Sequence, residues 1–178
     1  MTASVSLAQA ERQLVVFELS TESYGVDIGA VREIIRMQEI TRVPRTPSFV
    51  EGVINLRGRV IPVIDLRKRF CLSVCERNRD SRIVVVDIAG QDIGVVVDAV
   101  TEVLRIKSDS IAPPSTMIAG ADSTYLIGIV KLEGRLVILL DLARVLSDDE
   151  QSVLAEGGEA RTQRAIRSGP KGTDGLIS

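Results

Sequence analysis

The chain has 178 residues, 45% of them hydrophobic but only 3% aromatic, with 22 basic against 24 acidic side chains. That length and apolar content suffice for one sizeable core, or for two small ones that depend on each other, built from Val, Ile and Leu because aromatics are scarce. The near-neutral balance argues against nucleic-acid binding, which relies on a focused basic excess, and the absence of histidine removes histidine-dependent triads, phospho-histidine relays and the commonest metal ligand.

In chain order, residues 1–12 read as a polar arm without a signal-peptide core. Leu14–Leu19 has the β-branched composition of a strand, and Thr21–Gly25 turns into a second strand around Val26. Ile28, Val31, Ile34 and Ile35 then fall at helical spacing, with Asp27 placed to cap them. Residues 36–48 carry Pro44 and Pro47 and read as a loop with room for a short extended piece. Phe49–Leu56 and Val60–Leu66 are predicted strands joined by a tight turn at Arg57-Gly58-Arg59, where glycine supplies a positive φ. Pro62 points to an edge or a non-hydrogen-bonded position. Cys71 and Cys75 are the only thiols and are expected to serve packing, since a zinc site would need two more Cys or His ligands.

Ile83–Asp87 and Ile93–Val97 are expected to form a hairpin around Gly90-Gln91. Asp98–Leu104 fits a helical turn or an extended segment, and residues 105–123, with Pro113 and Pro114, form a long connection. Tyr125–Leu132 and Leu136–Leu142 are the last predicted strands. Ser147-Asp148-Asp149-Glu150 is a capping box that opens a short helix over about 148–155. Residues 156–178 are glycine-rich and basic (Arg161, Arg164, Arg167, Lys171), and are expected to be a disordered tail. The longest unbroken apolar run, Leu136–Leu140, falls far short of the ~20 residues of a membrane helix. A soluble cytoplasmic protein is expected.

The chain also repeats itself. Leu14-Val15-Val16-Phe17 recurs as Ile83-Val84-Val85-Val86, an offset of 69 that also carries Gly25 onto Gly94, Val31 onto Val100 and Glu33 onto Glu102. Later the offset becomes 76 and superposes Phe49-Val50 on Tyr125-Leu126, Gly52 on Gly128, Gly58-Arg59 on Gly134-Arg135 and Asp65-Leu66 on Asp141-Leu142. One supersecondary unit used twice is the physical reading. Short strands with tight turns suggest small barrels. The strands beside Gly58 are apolar on both faces and so must be covered on both: one face fills its own barrel, the other packs against the sister. Neither half is then expected to be stable alone.

Candidate chemistry is thin. Gly169-Pro170-Lys171-Gly172-Thr173 lacks the loop length of a phosphate loop. Val84-Val85-Val86-Asp87 lacks the acidic pair and the downstream lysine strand of a phosphoacceptor site. Asp65 and Asp141 could suggest an acid–base pair, but as equivalent residues of the two copies they are expected to cap the turns that follow. The informative mismatches are Asn55 and Arg57, which become Lys131 and Glu133 in the second copy while their neighbours keep their type. An Arg at a hairpin tip beside an apolar groove is either a solvated turn residue or a bidentate carboxylate contact.

Val31-Arg32-Glu33-Ile34, Val43-Pro44 with Pro47, and Gly52-Val53-Ile54-Asn55-Leu56-Arg57-Gly58 followed by Val60-Ile61-Pro62-Val63-Ile64-Asp65-Leu66 resemble the signature of the CheW family of chemotaxis coupling proteins. Gly94-Val95-Val96-Val97-Asp98, Val100 and Val103 fit as well, and the resemblance covers about residues 13–155. It implies an all-β protein with a few short helices, built as two SH3-like β-barrel subdomains around a common hydrophobic core. The expected boundaries are about 13–75 and 82–146. It also implies a non-enzymatic adaptor, with no catalytic, cofactor or metal site, that links chemoreceptor (methyl-accepting chemotaxis protein) cytoplasmic tips to the regulatory domain of the histidine kinase CheA at membrane-associated receptor arrays. Neither nucleic acid nor direct membrane insertion is expected. The receptor-binding residues carried over are Val31, Glu33, Gly52, Asn55, Arg57, Gly58 and Val103, with Arg57 meeting a receptor carboxylate. The same scaffold in a non-flagellar chemosensory pathway, or a nucleotide-binding protein, are the alternatives.

Overall fold

The structure, a computed structural model, describes residues 10–70, 72, 77–113 and 125–146. The expectations for Cys71 and Cys75, the capping box, the helix at 148–155, the tail at 156–178 and most of the N-terminal arm lie outside the described residues. The strands are β1 (Glu11–Leu19), β2 (Glu22–Asp27), β3 (Val31–Arg36), β4 (Val50–Leu56), β5 (Arg59–Asp65), β6 (Arg82–Ile88), β7 (Gln91–Val97), β8 (Ala99–Lys107), β9 (Ile111–Ala112), β10 (Leu126–Leu132) and β11 (Arg135–Leu140). Two single-turn helices, α1 (Leu66–Arg69) and α2 (Leu142–Val145), follow β5 and β11. The all-β expectation with a few short helices is met.

The strands form a six-stranded sheet in the order β8-β1-β2-β11-β10-β9 and a five-stranded sheet in the order β3-β6-β7-β5-β4. Neither sheet is a sequence half: each takes the leading hairpin of one copy and the trailing strands of the other. The chain changes sheet after β2, through a 3-10 turn at Ile28–Ala30, and again after β7, at Asp98. The two copies are therefore interlocked.

The duplication extends to register. β5 runs parallel to β7 with Val63 opposite Gly94, and β11 runs parallel to β2 with Leu139 opposite Gly25. The bulge between Val31 and Glu33 against β6 has its twin where β8 crosses β1, with Phe17 opposite Val100 and Val16 opposite Glu102. Shifts at Val50/Gly52 and Leu126/Gly128 match in the same way.

Packing explains why both faces of these strands are apolar. Val15, Phe17 and Leu19 enter a shared cluster with Val84, Val86, Ile88, Ile64 and Leu140. The alternate residues Leu14 and Val16 join Val137 and Leu139 in a cluster confined to the six-stranded sheet. Ile83 and Val85 join Ile54, Ile61 and Val63 in the other sheet. A period of two thus sends one face to a private core and the other to a common seam. Exposing roughly six seam residues at about 2 kcal/mol each would match the whole ~5–15 kcal/mol stability of a domain.

One local expectation changes, and two open ones are resolved. The segment after Asp27 is not a helix: Asp27 Oδ1 does accept from the Gly29 amide at 2.9 Å, but the turn lasts three residues and β3 follows. The spacing of Ile28, Val31 and Ile34 fits a turn plus strand equally well, and pairing with β6 decides the outcome. β3 then alternates, with Val31, Glu33 and Ile35 partly buried and Arg32, Ile34 and Arg36 exposed. Residues 99–107 are extended for the same reason, paired along β1. Pro62 sits in an interior strand rather than at an edge; pairing of β5 with β7 begins only at Val63, so its missing N–H leaves no gap in that ladder. Asp65 and Asp141 cap α1 and α2, accepting from the Arg67 and Ala143 amides, which is the fold role expected of them.

Candidate functional site

The β4–β5 hairpin presents the mismatched residues. Leu56 pairs with Arg59, leaving Arg57 and Gly58 as a two-residue loop, and both have positive φ, 53° and 82°. A loop of this kind matches the right-handed twist of its strands but strains any residue other than glycine, asparagine or aspartate at the first position. Asn55 supports it: its Oδ1 accepts from the Gly58 amide at 2.9 Å. The β6–β7 hairpin uses the same device, with Asp87 Oδ1 accepting from Gly90 at 2.9 Å and Ala89 at φ 52°. Asn55-x-x-Gly58 and Asp87-x-x-Gly90 are thus one turn signal, visible in the sequence but missed there.

With the turn fixed, Arg57 reaches Glu33 on β3 and makes a two-armed ion pair, Nη1 to Oε2 at 2.8 Å and Nη2 to Oε1 at 2.7 Å. β3 and β4 are the two ends of their sheet, so this contact ties one edge to the hairpin beside the other. The hydrogen bond and charge of Arg57 hold the Glu33 carboxyl below the usual glutamate range, and Glu33 raises Arg57 in return. The Arg57 side chain remains 71% exposed. Of its five N–H donors, two are satisfied by Glu33, leaving three directed elsewhere. Arg59 and Arg32 flank the pair and share Asp92, with contacts of 2.8 and 3.3 Å.

Gly52 is buried and has a different job. A Cβ there would lie 2.1 Å from the Thr41 carbonyl oxygen, and its φ is 144°. Thr41 and Val53 exchange two backbone hydrogen bonds of 2.8 Å, pinning the 37–48 loop against β4. Val31 is half-buried against the seam, whereas Val103 stands on β8 in the other sheet and is 53% exposed. The structure therefore joins Glu33 to Arg57 and Asn55 to Gly58, places Val31 on the same strand as Glu33, and puts Val103 on the neighbouring sheet. Sequence reasoning also missed Asp98. It lies between the sheets and accepts from Arg67 Nε at 2.8 Å and from the Ser20 amide at 2.7 Å. Burial would raise its carboxyl, but these donors outweigh that and lower it. Among the described residues no group of three or more acidic, Cys or His side chains could hold a metal ion.

Two interlocked sheets about one seam, with an ion-paired hairpin tip at the surface, define a class of duplicated all-β proteins. The sequence pattern of the CheW-like domain matches residues 13–150, and the chain belongs to the CheW family. It is 40% identical to Chemotaxis protein CheW of Helicobacter pylori, over 77% of this chain and 82% of that protein. With Chemotaxis protein CheW of Klebsiella aerogenes it shares 34%, over 80% and 86%. The crystal structure of scaffolding protein TtCheW from Thermoanaerobacter tengcongensis superposes with a TM-score of 0.73 at 42% identity, covering 79% of this chain and 91% of that one.

Proposed function

We propose that this chemotaxis scaffold links the cytoplasmic tips of chemoreceptors to the histidine kinase CheA and alters kinase activity by holding it in one geometry. The observation that carries this is the extent of the family match, residues 13–150, which takes in every residue of the proposed receptor face from Val31 to Val103. A receptor helix lays apolar residues against Val31 and Val103. Arg57, already oriented by Glu33, uses its remaining donors on a receptor carboxylate. Asn55 and Gly58 hold that arginine in place, and Gly52 contributes by letting the adjoining loop pack. The chemistry is binding, so no catalytic residue is assigned. No helix among the described residues is long and apolar enough to cross a membrane, and association with receptor arrays on the cytoplasmic side is part of the same reading.

The purified chain, mixed with receptor cytoplasmic fragments and CheA, should co-sediment with both and change ATP turnover. Absence of co-sedimentation at roughly tens of micromolar, a range in which even weak adaptor contacts register, would overturn the reading. A relative 31% identical to this chain is named Protein FrzA, from Myxococcus xanthus, so family membership leaves the particular sensory pathway to the identity of the captured receptor.

A further inference from the structure

At the end of the β3–β6 ladder Arg36 lies directly opposite Arg82. Like charges in such a pair repel, at a cost comparable to what opposite charges there contribute. The sister copy avoids this. Its equivalent pair is Gln13 opposite Arg105, where the Gln13 amide, turned with oxygen toward Arg105, accepts from Nε at 2.9 Å. In the first copy the paired arginines open onto a cleft of about 500 Å³ that Arg79 and Met37 also line, with Asp80 the one carboxylate among the described residues that line it. Arg82 spends Nη1 on the carbonyls of Arg79 and Ser81, at 2.6 and 2.8 Å. Arg36 and Arg79 are exposed, and their guanidinium groups make no hydrogen bond or ion pair among the described residues.

We propose that this cleft docks an acidic peptide segment of a protein partner, with carboxylates on Arg36 and Arg79 and an apolar side chain against Met37. Guanidinium groups match carboxylates in a planar, two-armed geometry, and three arginines against one aspartate leave a local positive excess that attracts such a segment. A peptide fits better than a compact phosphate. Met37 lines the cleft beside the arginines, and Arg82 already spends Nη1 on backbone carbonyls, so one of the three guanidinium groups is only partly available to a single phosphate. The face is distinct from the Glu33–Arg57 tip, and the inference stands whether or not that tip binds receptors.

The test uses the full chain and a fluorescent peptide of four glutamates on each side of one leucine, read by anisotropy at low salt and by amide chemical shifts. Binding should perturb residues 36–37 and 78–82, and should vanish near 1 M salt, where screening acts over only ~3 Å. The double variant Arg36→Gln, Arg79→Gln should weaken binding at least tenfold with an unchanged or slightly raised unfolding midpoint, while Arg144→Gln, on α2, should leave it unaltered. Equal loss in both variants, shifts scattered over the whole surface, or no binding would overturn the proposal. So would inorganic phosphate or ATP competing as well as the peptide, which would make the cleft a phosphate site instead.

Discussion

The hairpins β4–β5 and β10–β11 occupy equivalent places in the duplicated fold, yet they end differently. The first carries Asn55-Leu56-Arg57-Gly58, with positive φ at both loop residues and a side-chain acceptor for the glycine amide. The second carries Lys131-Leu132-Glu133-Gly134, where of the two loop residues only Gly134 has positive φ. The strand glutamate is kept in both copies, but its partner moves: Glu33 pairs with Arg57 at the tip, and Glu102 pairs with Arg135 one step down the strand. A lysine cannot accept the turn hydrogen bond, and a glutamate at the tip could not face another glutamate. The two mismatches are therefore one change. It moves the positive charge out to the end of one hairpin and keeps it close to the strand in the other.

The largest expected effect tests what the hairpins share, their dependence on a common seam. Residues 1–75 expressed alone should show neither cooperative unfolding nor dispersed amide resonances, because each sheet needs strands from both halves and the seam would be open. Mixing them with a fragment of residues 76–155 should restore both signals. A well-dispersed spectrum from the first fragment alone would break the account of the fold.

Next comes the glycine pair. Gly52→Ala drives a Cβ to 2.1 Å from the Thr41 oxygen at a φ of 144°, whereas Gly128→Ala meets the Ala112 oxygen at 2.5 Å without a positive φ. Denaturant unfolding should give a loss of about 3–5 kcal/mol for the first, the range that marks a named structural clash, and a smaller one for the second. Gly58→Ala, with nothing within 4 Å, should cost only the ~1–2 kcal/mol of its left-handed backbone. Equal losses at all three positions would show that the two copies do not differ in how tightly their loops are pinned.

Third, Asn55→Lys gives the first hairpin the residue of the second. Losing the acceptor for Gly58 should cost about 1 kcal/mol and release Arg57 from its approach to Glu33, weakening receptor capture several-fold with kinase capture kept. Receptor capture unchanged by this variant would detach the turn from the docking face.

Much of this was legible in the chain. Equivalent residues such as Asp65 and Asp141, or Gly25 and Gly94, announced a repeated unit, and two-faced apolar strands such as Val84–Val86 announced a seam. What stayed hidden was non-local. Ile28, Val31 and Ile34 look helical until β6 pairs with the last two, because strand hydrogen bonds to a segment some fifty residues away leave no local trace. Nothing in the order of the strands along the chain shows that β2 and β7 hand it across to the other sheet. The Glu33–Arg57 pair left one usable sign: the arginine becomes glutamate in the copy whose strand glutamate is retained. That Arg57 and Glu33 meet in space is what the sequence lacks.

The smallest effect is the most specific to the hairpin tip. The hydrogen bond and charge of Arg57 lower the Glu33 carboxyl. The pair is therefore intact above the ordinary glutamate value of about 4.3 and comes apart only as pH falls through the lowered folded value, so neutral and mildly acidic conditions leave the tip in place. A carboxyl-carbon NMR titration should find Glu33 ionised below the ordinary glutamate range, and Arg57→Gln should bring it back up. The unfolding midpoint at neutral pH should barely move, since pairs as open as this one contribute little to stability. Arg57→Glu should go further, setting two carboxylates against each other and raising Glu33 above its ordinary value while receptor capture falls more than kinase capture. If Glu33 titrated normally in the unaltered chain, the arginine would be a solvated turn residue after all, and the contrast between the two hairpins would reduce to turn geometry.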